Sequence, residues 1–400
     1  MKNLEKILGS KRKPIRAIYI SSYIPRKCGI ATYTKDLTNA INPLNPHALA
    51  EIMAVNKPEE NINYPWEAKF KIEENNLSSY LQASDYINNS GVDIVSLQHE
   101  FGLFGSHWGE NIVPFAESLK HPLVTTLHSV LDDPTSDGGI ITKRLIDKSS
   151  AIVVMMEQIK DKLIKKYQAP EEKIVTIPHG TPDLPLTSSE TYKKKKKLSD
   201  RLVLGNINLI TECKGIEYSL EATSIIAKEF PNVLYFVIGE THPGDIRYQG
   251  EKYRNSLIKL TKKLNIKKNV RFINKYISLN EVVDWIQTMD FYITPYLDPQ
   301  QVSSGALAYA VGAGKCCISS SYPYAKEVLA EGRGVTVPFK DPEAIASAVI
   351  KLWKDKDQKL KMERKTYEYG RLMTWSNVAL QYLNLFATIL SNGNDNHEEN

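Results

Sequence analysis

The densest set of groups able to seat an anion lies in TPYLDPQQVSSGALAYAVGAGKCCISS, residues 294–320. Ser303 and Ser304 bring hydroxyls and Gly305 brings an accessible backbone to the start of a segment of small residues: Ala306, Ala308, Ala310, Gly312 and Gly314. A helix start of this composition favours a phosphate. An ordinary N-cap, worth about 1 kcal/mol, uses the same residue types. Lys214-Gly215 also precedes a helical pattern. Its ammonium either reaches a diphosphate or meets solvent. Near the N-terminus, the basic loop Pro25-Arg26-Lys27-Cys28-Gly29 joins an apolar run, Arg16–Ile20, to an amphipathic segment. Gly29 permits close backbone approach at a helix start, where an anion is favoured; a plain connecting loop fits it equally well.

Three more polar stretches follow apolar runs. LQHEFGLFGSHWGE, 97–110, holds His99, Glu100 and His107 among three glycines, a mixture that a purely structural loop rarely needs. TTLHSVLDDP, 125–134, puts His128 at a strand end, and IPHGTPD, 177–183, is a turn. Each lone histidine also fits a core role. In VIGETHPGDIRYQGEKYR, 237–254, Arg247 and Arg254 are anion contacts or surface charges.

The elements that position these groups alternate. Apolar runs at Ala17–Ser21, Ala48–Val55, Asp93–Gln98, Leu123–Leu127, Ala151–Met155 and Ile174–Ile177 predict strands, with helical patterns near 31–41, 77–89, 107–119, 138–148 and 157–167 between them. A second series has strands at 202–207, 233–238, 270–273, 291–294, 316–319 and 335–337. Its helices are predicted at 215–229, 248–265, 279–288, 303–313, 324–330, 342–354 and 357–371. This predicts an α/β protein of two doubly wound, Rossmann-like domains with parallel sheets. The expected division is 1–182 and 201–374, with a linker or exposed loop at 183–200, a crossing helix at about 375–391 and a disordered tail at 392–400. Ligands of such sheets bind beyond the carboxyl ends of the strands, so the two domains are expected to face each other across a cleft that holds the site.

Composition narrows the class. Apolar residues make up 42% and charged residues 24%, the balance of a globular chain, and a net charge of +5 does not imply nucleic-acid binding. Cys28, Cys213, Cys316 and Cys317 form no C-x-x-C pair, and the adjacent last two read as buried thiols. The first residues lack the apolar core of a signal peptide, and no run approaches the ~20 apolar residues of a span. A cytoplasmic protein is expected. Lys193 to Lys197 form a run of five lysines, read as a solvated turn or as a peripheral contact with an anionic membrane.

Taken in order, these motifs resemble the GT-B glycosyltransferases, and more narrowly glycosyltransferase family 4, over nearly the whole chain. The matching series is the N-terminal proline-glycine loop, His128, IPHG at 177–180, Lys214-Gly215, SSGALAYAVGAGKCCIS and YAKEVLAEGRGVTVPFKDPEAIASAV. The last helix resembles the GT-B helix that crosses back to the first domain. Gln301 and Tyr309 stand where the family usually carries paired donor-site glutamates, and Asn206 stands in place of its usual arginine, the mark of a divergent branch.

The resemblance implies a retaining transfer of a hexosyl unit from a nucleoside diphosphate sugar, with GDP-mannose or UDP-glucose as donor. The acceptor would be a saccharide or lipid-linked saccharide, and no metal or other cofactor is expected. It places His128 and Lys214 in catalysis. Donor contacts would come from Gly29, Lys214, Tyr276, Gln301, Ser303, Ser304, Gly305, Tyr309 and Arg247, and acceptor contacts from Arg26, His99 and Glu100. A sugar-nucleotide epimerase or hydrolase, and a non-catalytic nucleotide-sugar or glycan-binding protein, are the alternative readings.

Overall fold

The computed structural model describes residues 13–398. Residues 1–12, counted above with the first domain, and 399–400 of the expected tail lie outside the described residues. Contacts divide the chain into unit 1, Met1–Ile177 with Val378–Asn400, and unit 2, Pro178–Asn377.

Unit 1 holds β1 (Ala17–Ser21), β2 (Glu51–Asn56), β3 (Ala68–Glu73), β4 (Ile94–His99), β5 (Leu123–Leu127), β6 (Ala151–Val154) and β7 (Ile174–Thr176). They form one parallel sheet in the order β3-β2-β1-β4-β5-β6-β7. Every residue of β1, β4, β5 and β6 is buried. That explains their unbroken apolar character, because helices cover both faces of such a sheet. Ile18, Ile20, Val95 and Leu97 pack with Phe104 and Phe115 in one core. The edge strand β3, AKFKIE, was not predicted: one residue of its six is buried, so no apolar run announces it.

Unit 2 holds β8 (Leu202–Ile207), β9 (Val233–Ile238), β10 (Val270–Ile273), β11 (Phe291–Thr294), β12 (Cys316–Ser320) and β13 (Gly334–Val337). Their parallel order is β10-β9-β8-β11-β12-β13. Leu202, Leu204, Tyr235, Phe291, Ile293 and Ile318 centre its core together with Cys316, and Cys316 and Cys317 are both buried free thiols. The predicted helix 248–265 is two, Pro243–Gln249 and Lys252–Lys263, broken where Gly250 takes φ +61°.

The segment 183–200 is not simply a linker. It forms a helix, Ser189–Lys195, in which Lys193 is 1% exposed. Its ammonium lies 3.1 Å from the Asp290 carboxylate and 2.6 Å from that of Glu190. Asp290 also accepts from the Ser189 hydroxyl at 2.6 Å and the Val203 amide at 2.8 Å. The lysine run is therefore not one solvated turn: its first member anchors the helix beneath β8 and β11, while Lys194, Lys195 and Lys197 remain exposed. The tail differs too, since the last helix, Trp375–Glu398, runs through most of it. Among the described residues, no helix is long and apolar enough to cross a membrane.

Candidate functional site

Both sheets reverse their winding once, between β1 and β4 in unit 1 and between β8 and β11 in unit 2. At such a switch point the connections leave in opposite directions and open a crevice at the carboxyl ends of the strands. The candidate residues can be placed by that rule, unit by unit.

In unit 1, the loop after β1 leads into the helix Gly29–Ile41. Its N-cap, Cys28, makes no side-chain cap, so no side chain of that residue satisfies the first helical N–H groups. A Cβ added to Gly29 would meet nothing within 4 Å. The fold itself therefore does not require glycine there. Gly29→Ala should leave the melting temperature equal or raise it, by about 0.4–1 kcal/mol of stability, because it stiffens the unfolded chain. If the open space receives a ligand, the same change weakens binding. Thermal unfolding with and without nucleotide measures both, and an unchanged affinity removes Gly29 from the site.

Arg26 corrects an expectation. It does not project as an acceptor-side cation: its guanidinium lies 3.3 Å from Glu74 and 3.6 Å from Glu60 and donates to the Val55 carbonyl. It ties the loop to β2. His99, at the end of β4, is fully buried between Phe101 and Phe104, and neither ring nitrogen has a hydrogen-bond partner. Burial pushes its pKa down to about 3, so the ring is neutral. His99 is thus walled in by the Phe101 and Phe104 rings. Glu100 beside it accepts from the Ser129 hydroxyl at 2.6 Å and the Phe101 amide at 3.1 Å, and burial raises its pKa.

His128 is held more specifically. Gln98 points its amide nitrogen at Ser96 and Thr126, which leaves its carbonyl oxygen to accept from His128 Nε2 at 3.0 Å. With the Gln98 amide oriented in this way, Nε2 is the donor of that bond. Tyr33 meets the imidazole edge-on at 4.8 Å. Tyr382, from the last helix, bonds both Tyr33 at 3.2 Å and Thr126 at 2.8 Å. Nothing in the sequence around Tyr382 signals this supporting role.

In unit 2, the short turn Glu212–Lys214 ends in Gly215, at φ +59°. A Cβ on Gly215 would run into the Pro295 carbonyl oxygen. Glycine is thus needed both for the left-handed turn and for contact between the loops after β8 and β11. The turn sets the Lys214 ammonium 4.0 Å from the centre of the Tyr296 ring. Burial lowers its pKa. Tyr296 donates to Asn208 at 2.5 Å and stacks on Tyr322 at 5.4 Å. Ser304 caps the helix Gly305–Gly312, accepting from the Leu307 amide at 3.2 Å. Gln301 folds back to donate to the Ser303 carbonyl at 2.9 Å.

His179 was missed as a site candidate, although IPHG signalled it. It lies against the start of the 305–312 helix: a Cβ on Gly305 would come within 3.1 Å of its Nε2. Tyr309 packs 6.2 Å from its ring. Nδ1 donates to the Gly180 carbonyl at 2.8 Å, and burial lowers the pKa to about 4. The structure thus gathers Lys214, Tyr296, Asn208 and Tyr322 at the switch point, with Ser304 and His179 at the adjoining helix start. Asn206, in β8, is buried with its amide nitrogen unpartnered. Arg247 and Tyr276 stand exposed beyond β9 and β10. Arg254 instead braces the turn after β9, donating to the Gly239 carbonyl at 2.6 Å.

The chain matches two family models in succession: the family described as Glycosyltransferase Family 4 over residues 29–183, and Glycosyl transferases group 1 over 188–373. It belongs to the family 4 glycosyltransferases of the GT-B fold. Among curated relatives of this glycosyltransferase, a D-inositol 3-phosphate glycosyltransferase of Corynebacterium urealyticum is 23% identical over 281 residues, which are 66% of this chain and 64% of that protein. The chain therefore spans somewhat under two thirds of that relative's length. Sucrose-phosphate synthase from Thermosynechococcus elongatus superposes with a TM-score of 0.76 at 15% identity, covering 94% of this chain and 99% of that one. Anabaena HepE, solved in complex with UDP-glucose, gives 0.71 at 11% identity, covering 93% and 99%. At such identities these structures establish the fold.

Proposed function

We propose that this glycosyltransferase moves a hexosyl unit from a nucleoside diphosphate sugar to a carbohydrate or lipid-linked carbohydrate acceptor, with retention at the anomeric carbon and without a bound metal. The observation that carries the proposal is Lys214, held by an obligatory glycine beside the helix start at Ser304-Gly305. As the glycosidic bond breaks, the departing diphosphate gains negative charge, and preorganised donors aimed at that charge are the largest catalytic term. In this reading Lys214 and the N–H groups opening the 305–312 helix receive the diphosphate. His128, oriented by Gln98, lines the site of the transferred sugar.

UDP-glucose is the first choice of donor, supported by the UDP-glucose complex of HepE, with GDP-mannose second. The experiment is a thermal-shift series with UDP, GDP, ADP and dTDP in the presence of EDTA. A ligand at 100 times its dissociation constant adds about 2.7 kcal/mol of stability. Stabilisation is expected with UDP; no response to any of the four overturns the proposal. Binding of a sugar nucleotide without turnover on any acceptor would favour a binding protein instead, for which the neutral side chains Gln301 and Tyr309 are the supporting observation.

A further inference from the structure

The amino ends of β11 and β12 lie at the opposite end of the unit 2 sheet from Lys214. A cavity of about 350 Å³ opens there. Its wall includes Lys315, immediately before β12, which is 2% exposed. The Lys315 ammonium donates to the Gln287 carbonyl at 2.9 Å, one bond for a group with three donors.

The remaining wall charges are three carboxylates and three cations. Asp290 and Glu190 are both paired with Lys193, and Glu363 is paired with Lys359. The three carboxylates of the wall thus share two cations, Lys193 and Lys359. Among the described residues, no carboxylate forms an ion pair with Lys315, Lys356 or Arg364. Lys356 and Arg364 are exposed, and both belong to the helix Lys356–Leu372, whose first residue is Lys356. Glu363 and Asp290 act on the Lys315 ammonium by charge without forming an ion pair with it, and burying an ammonium is costly. Here burial lowers the Lys315 pKa to about 8. The hollow thus has in its wall a buried ammonium with one hydrogen bond and at its mouth two cations without ion pairs, while the helix start itself is already capped by the Asp355 carboxylate.

We propose that this cavity is a second anion site, binding a phosphate dianion, free or as a small monoester, between Lys315 within and Lys356 and Arg364 at the mouth. It is separate from the diphosphate seat at Lys214. The test is calorimetric titration of the full chain with inorganic phosphate and, separately, with glycerol phosphate, at constant ionic strength set with chloride. One saturable site is expected, unchanged in Lys214→Ala. It should weaken about 10- to 100-fold in Lys356→Ala/Arg364→Ala, the scale of lost charge-assisted hydrogen bonds. Both of these residues are exposed, so that variant is expected to fold. Lys315→Gln should weaken it further. Tighter binding of glycerol phosphate identifies an ester as the ligand, and tighter inorganic phosphate identifies the free ion. Absence of saturable binding, undiminished affinity in the double variant, or loss of binding in Lys214→Ala each overturns the proposal.

Discussion

Lys214→Ala should lower kcat/KM for sugar transfer about 100- to 1,000-fold, the scale of removing one preorganised donor from a developing negative charge. The fold should barely register it. The folded chain uses Lys214 for a cation–π contact with Tyr296, worth about 0.5–1 kcal/mol at a partly open position. The ammonium is moreover partly desolvated, with a lowered pKa, before any ligand arrives. An anion placed beside it favours its charged form. Steady-state kinetics with the donor found by thermal shift, set against thermal melts of the same samples, separates the two effects. A variant that keeps full kcat/KM would show that the diphosphate is held elsewhere.

Asp290→Ala should produce the largest loss of stability, about 3–5 kcal/mol, because it leaves the buried Lys193 ammonium with only the half-exposed Glu190 carboxylate and orphans two further donors. Asp290 and Lys193 are 2% and 1% exposed, so solvent does not screen the pair. The carboxylate also receives the Val203 amide and the Ser189 hydroxyl, so its removal orphans donors in both β8 and the 189–195 helix. Replacing both partners, as Asp290→Leu with Lys193→Met, should recover much of the loss, since apolar groups of similar volume need no counter-charge. Urea unfolding curves for the three proteins measure this. A loss below about 1 kcal/mol for the single variant would mean that Glu190 alone suffices for Lys193.

Most strands were legible because both sheets are parallel and doubly covered, which writes them as unbroken apolar runs such as LVTTL and VLYFVI. Where burial is one-sided the signal fails, as in β3. Charge patterns misled for a related reason. Five consecutive lysines read as solvent-facing, yet Asp290, 97 positions away, draws one of them inside. Arg26 likewise looked available until the fold brought Glu60 and Glu74 to it. Within the candidate site, Gly215 was legible because its left-handed turn demands glycine, and Ser304 because it caps the helix that follows. His179, Asn208 and Tyr382 act through partners distant in sequence, and local spacing cannot reveal them.

The last helix has a consequence for how the protein is made. Tyr382 closes a hydrogen-bonded group with Tyr33 and Thr126, and Phe386 is buried beside it. All 200 residues from Pro178 to Asn377 are translated between the seventh strand of unit 1 and this helix. Unit 2 is continuous in the chain and can complete its own core during synthesis. Unit 1, although most of it is made before unit 2, must wait for the helix that follows unit 2. A nascent chain released early would therefore carry a finished C-terminal half and an unsealed N-terminal one, reversing the usual order of vectorial folding.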